Sequence, residues 1–209
     1  GPLRLERGPV ENPLFEAFFS ATQQAGYQLT SDVNGYRQEG FAAFDQSLQR
    51  GRRVSASGAY LHPVMDRPNL TVLTRALVSK VLMDGTRATG VEVIDSKGRR
   101  RQVSAGEVIL CGGAFNSPQL LQLSGVGNAT ELQALGIDVV ADVPGVGEHM
   151  QDHLEVYVQY SCTQPVSIAP GMKMWRRPFI GAEWLFLRSG LGATNHFEAG
   201  GFIRGDEEV

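Results

Sequence analysis

Cysteine is nearly absent from this chain: Cys111 and Cys162 are the only two in 209 residues. A disulfide-stapled scaffold is therefore excluded, and both thiols are expected to be buried. A basic excess is missing too, since 19 Lys and Arg stand against 22 Asp and Glu, for a net charge of −3. That balance argues against a nucleic-acid partner. No apolar run approaches the ~20 residues that a membrane-spanning helix needs. There is no Gly-x-Ser-x-Gly, so the strained nucleophile turn of a hydrolase is absent. Nor is there a complete Gly-x-Gly-x-x-Gly after a strand: the Gly125-Val126-Gly127 and Gly145-Val146-Gly147 turns lack the third glycine. Of the four histidines, His149 and His153 are four apart, but Met150 stands where a metalloprotease has its glutamate. No metal site is expected. The chain opens Gly1-Pro2-Leu3, without an initiator Met or the apolar core of a signal peptide. It is expected to be an internal piece of a longer protein.

What is present has ordinary globular texture. Hydrophobic residues make up 42% and charged residues 20%, which excludes disorder for the bulk of the chain. Glycine is abundant, 25 of 209, so many turns are tight or backbone must approach something closely. Asn12-Pro13 followed by Leu14, Phe15, Phe18 and Phe19 predicts a capped helix that stops at Gly26. Residues 31–58 lack periodicity and predict loop with short ordered pieces. Strands are predicted over 70–74, 76–83, 90–94 and 100–103, with turns at Asp84-Gly85 and Ser96-Lys97-Gly98. Glu107-Val108-Ile109-Leu110-Cys111 predicts a strand covered on both faces, as in a parallel sheet. Ser117, Pro118 and Gly125 supply an N-cap, a first helical residue and a stop. A second short helix is predicted over 129–135, extended chain over 137–143, and strands over 154–160, 184–187 and 197–203.

Three constellations bear on chemistry. Gly112-Gly113-Ala114 lies between the apolar run and the Ser-Pro helix. A helix start offers unpaired N–H groups and positive potential, and glycine lets an anion reach them. Plain strand–helix packing explains the same glycines. Asp152-His153-Leu154-Glu155 opens an alternating stretch, with Glu155 out of phase with Leu154 and Val156. It is either a solvated face or a carboxylate on a cavity wall. Trp175 stands 20 residues beyond Glu155, near Met172, Met174 and Phe179. A carboxylate with an aromatic face can hold a quaternary ammonium; a Met and aromatic cluster can also be core.

The stretch from Gly113 through Ser117-Pro118 to Gly127 resembles, along its whole length, a signature of the glucose–methanol–choline (GMC) flavin oxidoreductases. Gly145-Val146-Gly147-Glu148-His149-Met150-Gln151-Asp152-His153 resembles the next conserved block of that family, which more often has Asn-Leu at the His149-Met150 positions. The likeness includes Asn12 to Phe18 and His196 to Phe202. Asp152-His153-Leu154-Glu155, Gly181-Ala182-Glu183-Trp184-Leu185 and the Gly-Gly-Phe-Ile-Arg stretch narrow it to the choline-oxidising branch.

The resemblance implies an α/β fold of mixed α+β character: part of an FAD-binding GMC fold, with a substrate domain built on an antiparallel sheet. On that basis residues 1–68 form a substrate-side, cofactor-covering segment. Residues 69–150 belong to the FAD-binding domain, with the signature at 113–127, and residues 151–209 begin the substrate domain. The implied activity is FAD-dependent oxidation of choline to betaine aldehyde, with electrons passed to a membrane acceptor such as a quinone. Val78, Cys111, Gly112, Gly113, Ala114, Asn116 and Ser117 are the implied cofactor-binding residues. Glu155, Trp175, His196 and Glu198 are the implied substrate-binding residues. The catalytic base and the first glycine-rich FAD motif are expected outside this chain, which is therefore expected to be inactive alone. Peripheral membrane association of the full-length enzyme is implied, on the matrix side of the mitochondrial inner membrane or, in a bacterium, in the cytoplasm or at the inner membrane. Two other readings stand beside this one: a GMC enzyme for a neutral alcohol, and a non-catalytic paralogue.

Overall fold

The computed structural model describes residues 1–205; the last four residues of the 151–209 segment lie outside the described residues. The chain forms two compact units, Thr71–Tyr157 and a second assembled from Gly1–Leu70 with the chain from Val158 onward. The mixed helix-and-sheet character expected of the chain is present.

The flanking unit begins with β1 (Glu6–Arg7) and α1 (Pro13–Gln24). Asn12 caps α1 by accepting a hydrogen bond from the Leu14 N–H, Pro13 takes the first helical position, and Gly26 follows at φ +89°. Each is the expected role, because these signals act within one turn of backbone. The next thirty residues hold β2 (Gly40–Ala43), β3 (Asp45–Gln46), β4 (Leu48–Gln49) and β5 (Arg52–Arg53), then a wide turn of π-helix at Ser57–Leu61. β1 pairs antiparallel with β3, and β4 with β5. The Phe18 ring meets Phe41 edge-on at 5.6 Å, seating α1 on β2.

The central unit holds β6 (Leu77–Asp84), β7 (Arg87–Ile94) and β8 (Arg100–Ser104), an antiparallel meander in the order β6-β7-β8. Val81 and Val93 are its buried side chains. α2 (Gly113–Leu123), β9 (Val126–Gly127), α3 (Ala129–Ala134) and β10 (Ala141–Asp142) complete it, with β10 parallel to β9. Ser124, 1% exposed, ties α2 to the meander: its Oγ accepts from the Val81 N–H at 2.8 Å and donates to the Leu120 carbonyl at 2.5 Å.

The chain then returns to the flanking unit with α4 (Arg177–Leu187) and β11 (Ala199–Phe202). β11 pairs antiparallel with β2, Gly40 facing Phe202 and Ala43 facing Ala199. That pairing joins the early and late stretches of sequence in one body.

Several local expectations fail. Residues 107–111 form no strand, and Ile109 is 77% exposed. A buried strand exists only with neighbours to take its N–H and C=O groups, and none of the described strands runs beside it. The 70–74 and 154–160 stretches are likewise without strand structure, for the same want of a partner. Residues 184–187 are the last turn of α4 rather than a strand. A four-residue apolar run carries no period of its own, and here Trp184 fixes it by donating from Nε1 to the Gly51 carbonyl at 2.7 Å. Ser117 is not an N-cap: α2 starts four residues earlier, and Ser117 Oγ accepts from the Gly112 N–H at 2.9 Å. Both cysteines are exposed, not buried.

Candidate functional site

The central unit contains an open concavity of about 850 Å³ between the meander and the start of α2. Val78, Cys111, Gly112, Asn116 and Ser117 all line it. Five of the seven residues expected at the cofactor thus share one wall, although 33 positions separate Val78 from Cys111. Gly113 and Ala114 are the first two residues of α2 beside it. Gly113 sits at φ +85°, which a side chain disfavours. At Gly112 a Cβ would stand 3.0 Å from the Asn116 Cβ, so this glycine serves close packing within the turn.

Sequence reasoning missed the rest of the wall. Leu77, Leu110, Leu120 and Leu123 give it aliphatic surface and Lys80 gives it positive charge, while Arg100 is paired with Glu92 in the same lining. Aliphatic faces suit a planar heteroaromatic ring; a lysine beside a helix start suits phosphate oxygens. That donor set fits a dinucleotide. The register of β6 against β7 brings Lys80 opposite Glu92, and an extra residue in β6 makes that pairing illegible from the Asp84-Gly85 turn alone. Glu92 accepts from Ser79 Oγ at 2.7 Å and pairs with Arg100 at 2.6 Å. The Ser79 hydrogen bond first, and the Arg100 guanidinium next, hold the Glu92 carboxyl below the usual range.

Glu155 lies in the same unit but does not line this concavity; it is exposed, on a stretch without regular structure. The neighbouring Glu155 carboxylate raises the pKa of the Tyr157 hydroxyl above its usual value. Spacing by two residues in extended chain puts the two groups on one side.

The flanking unit carries the other three expected substrate residues. His196 and Glu198 line a second concavity of about 730 Å³ with Gln46, Thr194 and Arg188. His196 is left-handed, at φ +65°. Glu198 is 5% exposed, and both its oxygens are engaged: one accepts from the Val10 N–H at 2.8 Å, the other from the Thr194 hydroxyl at 2.6 Å. Trp175 stands in a short 3₁₀ turn, 64% exposed, with the Arg176 guanidinium 5.5 Å from its ring centroid. It does not line the His196 concavity.

An antiparallel meander followed by a glycine-led helix, with the residues expected at the cofactor on their common wall, gives the central unit a mixed α/β architecture with one concave face. Formate oxidase matches with a TM-score of 0.84 over 98% of this chain and 36% of its own, at 24% identity, a likeness of fold alone. Pyridoxine 4-oxidase from Mesorbium loti matches at 33% identity and a TM-score of 0.64, over 69% of this chain and 28% of its own. The family model described as GMC oxidoreductase matches residues 1–155, and the chain belongs to that family.

Among curated proteins, the oxygen-dependent choline dehydrogenase of Staphylococcus haemolyticus is 57% identical over all 209 residues. Those of Staphylococcus saprophyticus and Staphylococcus aureus strain JH9 are 56% identical. The chain spans 37% of the length of these relatives. All three are bacterial, which gives the mitochondrial expectation no support.

Proposed function

We propose that this protein serves the FAD-dependent oxidation of choline to betaine aldehyde, as a choline dehydrogenase of the GMC family. The observation that carries this reading is 57% identity, without interruption of coverage, to a protein named for that reaction. An FAD-dependent oxidoreductase from Chaetomium thermophilum, 25% identical over 95% of this chain and 36% of its own with a TM-score of 0.78, supports the same cofactor here.

The reaction removes a proton from the hydroxyl and a hydride from the carbinol carbon. FAD, when bound, supplies the hydride acceptor. Val78, Cys111, Gly112, Asn116 and Ser117 hold it from the central concavity, with Gly113 and Ala114 at the helix start. Glu155 binds the trimethylammonium by charge. Trp175 is proposed as an aromatic face for a quaternary ammonium. His196 contributes to the substrate region, and Glu198 holds the turn that carries His196. No histidine of this chain is proposed as the base.

For the electron acceptor, the relatives' name supports oxygen, and the family resemblance supports a membrane quinone. The bacterial relatives favour the bacterial location over the mitochondrial one, and peripheral membrane attachment belongs to the proposal. No helix among the described residues is long and apolar enough to cross a membrane.

The test uses purified full-length protein. Flavin absorbance and choline-dependent formation of betaine aldehyde are expected, and oxygen uptake with and without an added quinone assigns the acceptor. A folded, colourless protein would establish the non-catalytic reading instead. Glu155→Gln is expected to raise the choline KM about tenfold or more, since a charge pair at ~4 Å is worth roughly 4 kcal/mol at an effective dielectric near 20. An unchanged KM removes Glu155 from the substrate site.

A further inference from the structure

We infer that Ser79, Glu92 and Arg100 form a brace that positions the Val78 end of β6 for the cofactor. This rests on the FAD reading above. The β6–β7 ladder is regular up to Val78 opposite Val93, then slips, so that Lys80 faces Glu92 and Ser79 has no cross-strand partner. An extra residue of this kind bends its strand and re-aims the groups beside it. Left alone, it would also loosen the ladder at that point.

The side chains tie it down again. Ser79 Oγ donates to Glu92 Oε1 at 2.7 Å, and the Arg100 guanidinium donates to the same oxygen at 2.6 Å. One carboxylate oxygen thus joins all three strands of the meander. Val78, Ser79, Glu92 and Arg100 all line the concavity shared with Gly112 and Ser117. Arg100 comes from the end of β8 that faces Ile94, adjacent to the slip. A bulge at a rim, pinned by a charge-assisted network that spans the sheet, is the construction of a surface held for a ligand. A bulge serving only the fold has no need of charged groups at the concavity.

The experiment is FAD titration of flavin-stripped full-length protein, read by flavin fluorescence, with thermal unfolding of each apo form alongside. Ser79→Ala is expected to weaken FAD binding about three- to tenfold, the range of one lost hydrogen bond. Ser79→Thr, which keeps the hydroxyl, is expected to restore it. Glu92→Gln is expected to weaken binding as well, because Arg100 loses its charged partner. FAD affinity equal to wild type in Ser79→Ala and Glu92→Gln overturns the inference, as does a loss of apo stability with no change in affinity. Failure of the wild-type protein itself to bind FAD overturns the cofactor reading, which is a separate outcome.

Discussion

Removing one oxygen atom, at Ser124, is expected to loosen the central unit in a way that can be located. Ser124 Oγ accepts from the Val81 N–H at 2.8 Å, and both residues are buried. In Ser124→Ala the Leu120 carbonyl keeps a donor, because the Ser124 backbone N–H also reaches it at 3.1 Å. The Val81 N–H loses its hydroxyl acceptor. The cost therefore falls on one buried donor, about 1–3 kcal/mol. Alanine removes little volume, so the cavity contribution is small by comparison. Hydrogen exchange of the full-length protein reads this directly. The peptide covering 77–84 should exchange about 5- to 150-fold faster in the variant, the equilibrium equivalent of that cost. Peptides covering α1 should be unchanged, since they lie in the other unit. Unaltered exchange over 77–84, with an unaltered unfolding midpoint, would refute the idea that this hydroxyl ties α2 to the meander.

Two further substitutions test other parts of the chain. Gly90→Ala is expected to cost at least about 3 kcal/mol, because Gly90 sits at φ +156° and a Cβ there would collide with the Val103 carbonyl of β8. Gly85→Ala, in the same meander at φ +55° with nothing within 4 Å, should cost only about 1 kcal/mol; equal unfolding midpoints for the two would contradict the crowding argument. Trp175→Ala is expected to weaken choline binding by about 0.5–2 kcal/mol, while the uncharged tert-butyl isostere of choline loses less. Equal losses for both ligands would reduce Trp175 to a packing residue.

Signals that act within a few residues were legible in the amino-acid order. Asn12-Pro13 starts α1 and Gly26 ends it, Gly136 at φ +71° follows α3, and the Asp84-Gly85 turn joins β6 to β7. The residues of the GMC signature were equally plain, and with them the expectation that Val78 and the 111–117 stretch serve one ligand. Backbone dihedrals and caps are settled by the nearest side chains, so such features need no knowledge of the rest of the molecule.

The remainder depended on partners distant in sequence. Glu107 to Cys111 reads as a buried strand, yet it has no neighbour among the described strands and stays unpaired. Trp184 to Leu187 reads as a strand and is helix, held by the Gly51 carbonyl 133 positions away. Ser117 reads as a cap and instead receives the Gly112 N–H inside a helix that begins earlier. The slip at Ser79, and the Glu92 and Arg100 side chains it brings to the concavity, follow from how three strands align. Local sequence chose the turns and the ends of helices; which polar groups met across the sheet was decided only when the chain closed on itself, because a hydrogen bond needs both of its partners in place.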